Sequence, residues 1–531
     1  MRGNLVSPAA AACAAVLALP FLATPAAPAP ATRTRPGVPA VPPVPRTHVA
    51  HTGAAHTDGV PRHGTRVLPG SPAAVPGSTH SLRLRPLGAP AGAPGRGRPR
   101  GPQGLPARAV APFSLVGIVW DDPRTELRGR AQVRTRALGS STWSEWQDVQ
   151  THDDDRPDLD SPEARRGSLR GATAPLWVGA SDAVQVRVQP ETKPVAQGTQ
   201  AAGRPEAQVR PLPSGLRVEL VDPGRDPRRA AGRARGASIT PAPPTEQENA
   251  SSAANLPLAP LGATEIPALG RPDSARDIAA TKVEPAGVAQ DKPVSDGHGA
   301  PDPEGDDELS PPTGLDDGDG TADVTEPSGR FVGPRPRIVT RAGWGADESL
   351  RERGFPYDKK VRAAFIHHTA SGNGYSCAQS ASVIRGIYRY HVVSSGWRDV
   401  GYNFLVDKCG TVYEGRAGGV AKPVRGAHTL GFNTNSMGIA LLGTFGRSSP
   451  TAAALDAVAT LTAWKLGLYD VNPLGTVSLV SAGGNRFKKG TTARLKAISG
   501  HRDGFTTECP GDRLYARLPQ VRAQAARLQG R

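Results

Sequence analysis

Apolar and polar positions begin to alternate at Phe113, where Phe113, Leu115, Val116, Ile118, Val119 and Trp120 are followed by Ala131, Val133, Thr135, Ala137 and Leu138. Both runs are rich in strand formers and predict β-strands. Further strands are expected at Trp143 to Val149, Pro175 to Gly179, Ala183 to Val188 and Leu216 to Val221. Short strands separated by turn residues predict a small all-β domain, a sandwich or barrel, over residues 110–222. Nothing in it reads as catalytic, so it is expected to bind or to space. His152 with Asp153, Asp154 and Asp155 could suggest a metal or acid cluster. It reads as a solvated acidic loop, because acidic side chains overwhelmingly stay in water.

After Ile338 the pattern lengthens. An apolar stretch from Val361 to Ile366 predicts a strand running straight into His367, His368 and Thr369. Val383, Ile384, Ile387, Tyr388, His391 and Val392 fall at helical spacing within Cys377 to Val393. Strands are expected at Tyr402 to Val406 and at Met437 to Gly443, the second apolar enough to lie centrally in a sheet. Ser449 as N-cap and Pro450 at the first helical position open a helix carrying Leu455, Val458, Leu461 and Leu466. Alternating strands and helices predict one mixed α/β domain over 335–531, a sheet flanked by helices.

Composition removes much of the rest from the folded account. The 531 residues include 62 glycines and 54 prolines, and only 5% are aromatic. Such stretches bury too little apolar surface to offset their ordering entropy. Residues 32–109 are expected to form a disordered, basic Pro/Ala/Arg-rich tether, and 223–334 a disordered linker with an Arg-rich start and an acidic end. At the start, Arg2, an apolar run from Ala9 to Ala23, and small residues with prolines up to Ala31 predict a secretory signal over 1–31. Cys13 lies too early in that run for a lipid anchor. No other segment offers the roughly 20 apolar residues of a membrane span. A secreted, extracellular or wall-associated protein without a transmembrane segment is expected. The net charge of +16 suits polyanions in general. With a secretory start, nucleic acid is not expected, and two readings of the basic N-terminal segment stay open: attachment to anionic wall polymers and a merely solubilising tail.

Removing the signal leaves Cys377, Cys409 and Cys509, an odd number in a compartment where thiols pair. One of them is either a metal thiolate or a buried inert thiol. His367 at a strand end, and His501 and Cys509 within Gly500 to Gly511, are candidate ligands. Zinc takes neutral imidazole and thiolate well, and three protein ligands with an open fourth position is its catalytic arrangement. The spacing of His501 and Cys509 is not that of a zinc finger.

The surrounding segments are more specific. Arg341 to Gly345, Ile366 to Thr369, Gly396 to Phe404, Gly410 to Arg416, Gly426 to Asn433, and Gly500 to Arg502 with Cys509 to Gly511 occur in that order. Over about Arg335 to Leu518 they resemble the peptidoglycan recognition protein and type 2 N-acetylmuramoyl-L-alanine amidase family. The resemblance implies Zn2+ bound by His367, His501 and Cys509, and cleavage of the amide between N-acetylmuramic acid and L-alanine in peptidoglycan. It implies that Tyr402 orients water or stabilises the oxyanion. Thr507 stands where phage members have a Lys and many animal members a Thr. A peptide groove touched by His391, His428 and Asn433 is also implied, with His368 left beside the metal or facing solvent. With Cys509 assigned to the metal, a Cys377–Cys409 disulfide is expected. Two alternatives stay open: a non-catalytic peptidoglycan-binding module, as in members lacking the Cys ligand, and a wall-anchored structural protein.

Overall fold

The computed structural model describes residues 77–87, 101–151, 155–193, 208–225, 243–281 and 331–531. The expected signal sequence, Cys13, His152 to Asp154 and much of the expected tether and linker lie outside these residues. All described residues fall in one unit, Pro69–Arg531.

An antiparallel sheet comes first. Its main strands are β1 (Ser78–Arg83), β2 (Gln103–Trp120), β3 (Gly129–Ala137), β4 (Gln147–Val149), β5 (Leu176–Pro190) and β6 (Arg217–Asp222). They lie in the order β1-β6-β2-β5-β3-β4. The apolar run from Leu115 to Trp120 is continuous because both of its faces are covered. Val116, Ile118 and Trp120 enter the domain's own core with Val133, Val186 and Leu220. Leu115 and Val119 point the other way, into a core shared with Ile384, Ile387 and Tyr390 of the following domain. Gly117 is required there, since a Cβ would sit 2.4 Å from the Tyr390 ring. The Tyr390 hydroxyl donates to Thr173 O at 3.0 Å.

The second sheet is mixed. Its strands are β7 (Glu265–Ile266), β8 (Ile338–Val339), β9 (Ala363–His368), β10 (Phe404–Val406), β11 (Val412–Glu414), β12 (Ser436–Leu441) and β13 (Ile498–Gly500). Their order is β7-β8-β11-β10-β12-β9-β13. β9 lies between parallel neighbours β12 and β13 and is buried along its whole length. The helix expected from Cys377 is a short 3-10 turn, then α-helix Ser380–Arg389, then a π-turn to Ser394. The long helix Ala452–Gly467 packs against the C-terminal helix Leu518–Gln529. The Cys377–Cys409 disulfide, with Cα atoms 6.3 Å apart, ties the 3-10 turn before helix Ser380–Arg389 to the turn after β10.

Several expected boundaries move. β1 and the first half of β2 fall in the stretch expected to be unstructured. β1 has few apolar side chains, but it pairs with β6 along its full length, so backbone bonds hold it. The expected linker contains helices Glu246–Ala253 and Arg271–Thr281. Thr245 and Glu248 form a capping box on the first. Just beyond it, Asn255 donates to Glu414 and accepts from Val420 N, both inside the second domain. The two strands expected at 175–179 and 183–188 are one strand, β5, which bends at Gly179 in the left-handed region. The long helix is capped by Thr451, not Ser449: the Thr451 hydroxyl accepts from Ala454 N and donates to Lys408 O.

Candidate functional site

The topology explains how residues far apart in sequence meet. β9 and β13 run parallel with Ile366 opposite Gly500. The next residue on each is a histidine, so His367 and His501 leave the carboxyl ends of adjacent strands side by side, with ring centroids 4.6 Å apart. Cys509 follows on the loop after His501, and its Sγ lies 3.7 Å from His367 Nδ1. The His368 backbone N–H points at that sulfur from 3.4 Å, which favours a thiolate. All three side chains are fully buried, and Cys509 is free of any disulfide.

A fourth group joins them. Asp155, from the first domain, brings Oδ1 to 2.9 Å from His367 Nδ1 and 3.0 Å from His501 Nδ1. The ligand atoms of Asp155, His367, His501 and Cys509 all lie within 4.8 Å of one another. Around a tetrahedral zinc, bonds of about 2.0–2.3 Å put ligand atoms roughly 3.3–3.8 Å apart, so small side-chain shifts would bring this cluster to that spacing. Asp155 Oδ1 and both ring nitrogens of His501 lack an aligned hydrogen-bond partner. Converging buried donors left unsatisfied by each other suit a central cation. Burial lowers the pKa of His367, keeping the imidazole in its neutral, ligating form.

Tyr402 stands beside this cluster, its ring 5.6 Å from that of His367 and its hydroxyl donating to Asp155 Oδ2 at 2.7 Å. His391 lies behind it, stacked on Trp397 at 4.2 Å, with Nδ1 accepting from Gly401 N. His428 is buried and pairs with Thr429 and Ser436. Asn433 Oδ1 accepts from the N–H groups of His428 and Thr429, and its Nδ2 donates to Arg156 O and Asp158 Oδ1. Burial pushes His391 down to about 3 and His428 well below the usual range, so both are neutral at physiological pH. Thr507 Oγ1 accepts from Cys509 N at 3.2 Å, which orients the cysteine. His368 does not face solvent: it is buried, with Nδ1 accepting from Phe445 N, and burial lowers it to about 3.

The expectation of a solvated acidic loop fails at Asp155, whose side chain is 9% exposed. Nothing local in the sequence distinguishes Asp155 from a surface acid. Its burial comes from a tertiary contact across two domains, and the only available hint was the density of acidic residues itself.

Residues 357–512 match a family model described as N-acetylmuramoyl-L-alanine amidase. Residues 72–209 match one described as Rv3811 N-terminal galactose-binding domain-like. Over 181 residues the chain is 38% identical to peptidoglycan-recognition protein LE of Drosophila melanogaster, covering 34% of this chain and 45% of that protein. Over 178 residues it is 30% identical to peptidoglycan-recognition protein SC2 of Drosophila simulans, covering 34% and 82%. Over 184 residues it is 33% identical to the N-acetylmuramoyl-L-alanine amidase of Homo sapiens, covering 34% and 27%. It thus spans under half the length of the first and third relatives and most of the second. Among solved structures, Drosophila PGRP-LB is 27% identical, with 34% of this chain and 91% of that one covered and a TM-score of 0.28.

Proposed function

Because the chain belongs to the peptidoglycan-recognition protein and N-acetylmuramoyl-L-alanine amidase family, we propose that it is a zinc-dependent hydrolase of the amide joining N-acetylmuramic acid to L-alanine in peptidoglycan. The observation that carries this reading is the convergence of His367, His501 and Cys509 beside the Tyr402 hydroxyl. Two imidazoles and a thiolate are a zinc set. When bound, zinc supplies an activated water and polarises the scissile carbonyl.

The protein's own groups do the remaining work. His367 and His501 present Nδ1 from rigid strand ends, and Thr507 together with the His368 N–H fixes the sulfur. Tyr402 offers a hydroxyl donor to the oxygen on which charge develops. Asn433 holds the His428–Thr429 turn, and Thr429 Oγ1 lies 3.4 Å from His367 Nε2, so the ring orientation depends on that turn. The presence of Cys509 and Tyr402 favours cleavage over recognition alone.

The reading includes secretion and wall association. A disulfide suits an oxidising compartment, and among the described residues no helix is long and apolar enough to cross a membrane. The positive charge suits anionic wall polymers as additional partners. The test is mass spectrometry of peptidoglycan incubated with the zinc-loaded full chain, wild type and Asp155→Ala. Stem peptides with a new L-alanine amino terminus are expected, and none with Cys509→Ser. Release of sugars alone, or no cleavage by either form, would contradict it.

A further inference from the structure

A catalytic zinc site keeps one position open for water and substrate. We propose that Asp155 is a fourth metal ligand supplied by the first domain, and that residues 155–163 occupy the substrate groove, so that the chain is held in a closed, latent form. This inference rests on the zinc reading above.

Three observations support it. Asp155 uses both carboxylate oxygens on the centre: Oδ1 lies against the two histidine nitrogens, and Oδ2 accepts from Tyr402. It therefore takes up the very hydroxyl that the proposed chemistry needs.

Next, the residues after Asp155 are bound by Asn433, expected to touch a peptide groove, and by Gly431, Arg416 and Arg398. Asn433 Nδ2 donates to Arg156 O and Asp158 Oδ1, and Gly431 N donates to Asp158 Oδ1 at 2.6 Å. Glu163 pairs in fork geometry with Arg416 at 3.0 and 3.2 Å and accepts from Arg398 N. The Arg416 and Glu163 side chains are 2% and 8% exposed, so this is a built contact and not a surface ion pair.

Finally, little room is left on the Tyr402 side of the cluster. The cavity bounded by Asp155, Arg156, His391, Trp397 and Tyr402 measures about 30 Å3. Ligand sites usually need roughly 300–1,000 Å3. Water fits, and a muramyl peptide does not.

The occupant is an anionic peptide. Asp155, Asp158 and Glu163 face the metal cluster, the Gly431 N–H and the Arg416 guanidinium respectively. The groove so described receives carboxylates from a segment that turns into the short helix Pro162–Arg165, and the segment and an acidic stem peptide compete for the same donors. The apparent affinity for the stem peptide is then reduced by the fraction of closed molecules.

The test reads equilibrium binding, so it does not depend on turnover. In the full chain, zinc affinity is measured by competition with a chromogenic chelator. Affinity for the free stem tetrapeptide, which carries no bond to cut, is measured on the zinc-loaded protein by calorimetry. Asp155→Ala is expected to weaken zinc binding by about 10–100-fold, the cost of losing a coordinating or supporting group. The same change is expected to tighten peptide binding by at least about 10-fold. Glu163→Gln, remote from the metal, is expected to tighten peptide binding as well, because it weakens the anchor at Arg416. Opposite movement of the two affinities in Asp155→Ala is the signature, since a merely structural aspartate would weaken both. Unchanged zinc affinity, or peptide binding that does not improve in either variant, overturns the proposal. Failure of hydrolysis with these shifts intact would instead count against the amidase reading alone.

Discussion

Arg341 is not part of the His367–His501–Cys509 cluster, yet it organises the loop that carries Tyr402. Its guanidinium is buried between two carboxylates: Nε donates to Glu348 at 2.7 Å, Nη2 to the same group at 3.2 Å, and Nη1 to Asp399 at 3.1 Å. Asp399 in turn accepts from Val400 N and Ala417 N, and Arg416 donates to Val400 O. Arg341→Met keeps most of the volume but leaves Asp399 facing no cation and Glu348 with Arg351 alone. Breaking a buried pair in this way costs about 3–5 kcal/mol. Replacing both partners, Arg341→Met with Glu348→Leu, removes one of the stranded charges. The double variant should therefore lose about 1–3 kcal/mol less than the sum of the singles. Acid sensitivity gives an independent check. Burial opposes ionisation of Glu348, but Arg341 and Arg351 outweigh it and lower its pKa. Its contribution is present above the unfolded value of 4.5 and is lost as pH falls through the lower folded value. In Arg341→Met that loss should begin at higher pH. The assay is urea unfolding of the full chain at pH 7 and across pH 3–6. A loss below about 1 kcal/mol for Arg341→Met, or strict additivity in the double variant, would refute the reasoning.

Three further outcomes are expected. Tyr402→Phe should lower kcat about 100-fold with KM little changed, as for loss of an oxyanion donor; steady-state kinetics in the Asp155→Ala background reads this, and an unchanged kcat removes Tyr402 from the chemistry. Burial raises Glu414 to about 7, so the fold prefers its neutral form and stability should fall as pH rises from about 4.5 through 7. Glu414→Gln should flatten that slope by up to about 3 kcal/mol in unfolding free energy at pH 8; an unchanged slope would locate the pH dependence elsewhere. Opening the Cys377–Cys409 bridge, which encloses a sequence separation of 32, should cost about 2–4 kcal/mol. Thermal melting of the double Ser variant measures this, and an unaltered melting temperature would contradict it.

Much of the second domain was legible because its instructions are local. The run into His367, the helical spacing from Val383 and the apolar stretch at Met437 each bury one continuous segment, and the observed strands and helices lie within a few residues of them. The gathering of His367 with His501 was harder to read, since it depends on the parallel register of β9 and β13. It was reached through resemblance and not through periodicity. What stayed hidden depends on partners distant in sequence. β1 has almost no apolar pattern and exists because β6 needs an antiparallel neighbour. The helix after Thr245 carries little amphipathic signal and is held by Asn255 on Glu414 and Val420. Asp155 is the clearest case: its neighbours in the chain predict solvent, and only the contact between domains brings it to a cluster that could hold a metal ion.

The proposed chemistry requires one ion held by His367, His501 and Cys509. Its test is the zinc content of the full chain after exhaustive dialysis, measured by mass spectrometry beside His367→Ala, His501→Ala and Cys509→Ser. One zinc per wild-type chain, with each variant falling close to zero while staying folded by circular dichroism, is the predicted result. Wild-type protein that holds no zinc, or one zinc per chain retained by any of the three folded variants, would contradict it.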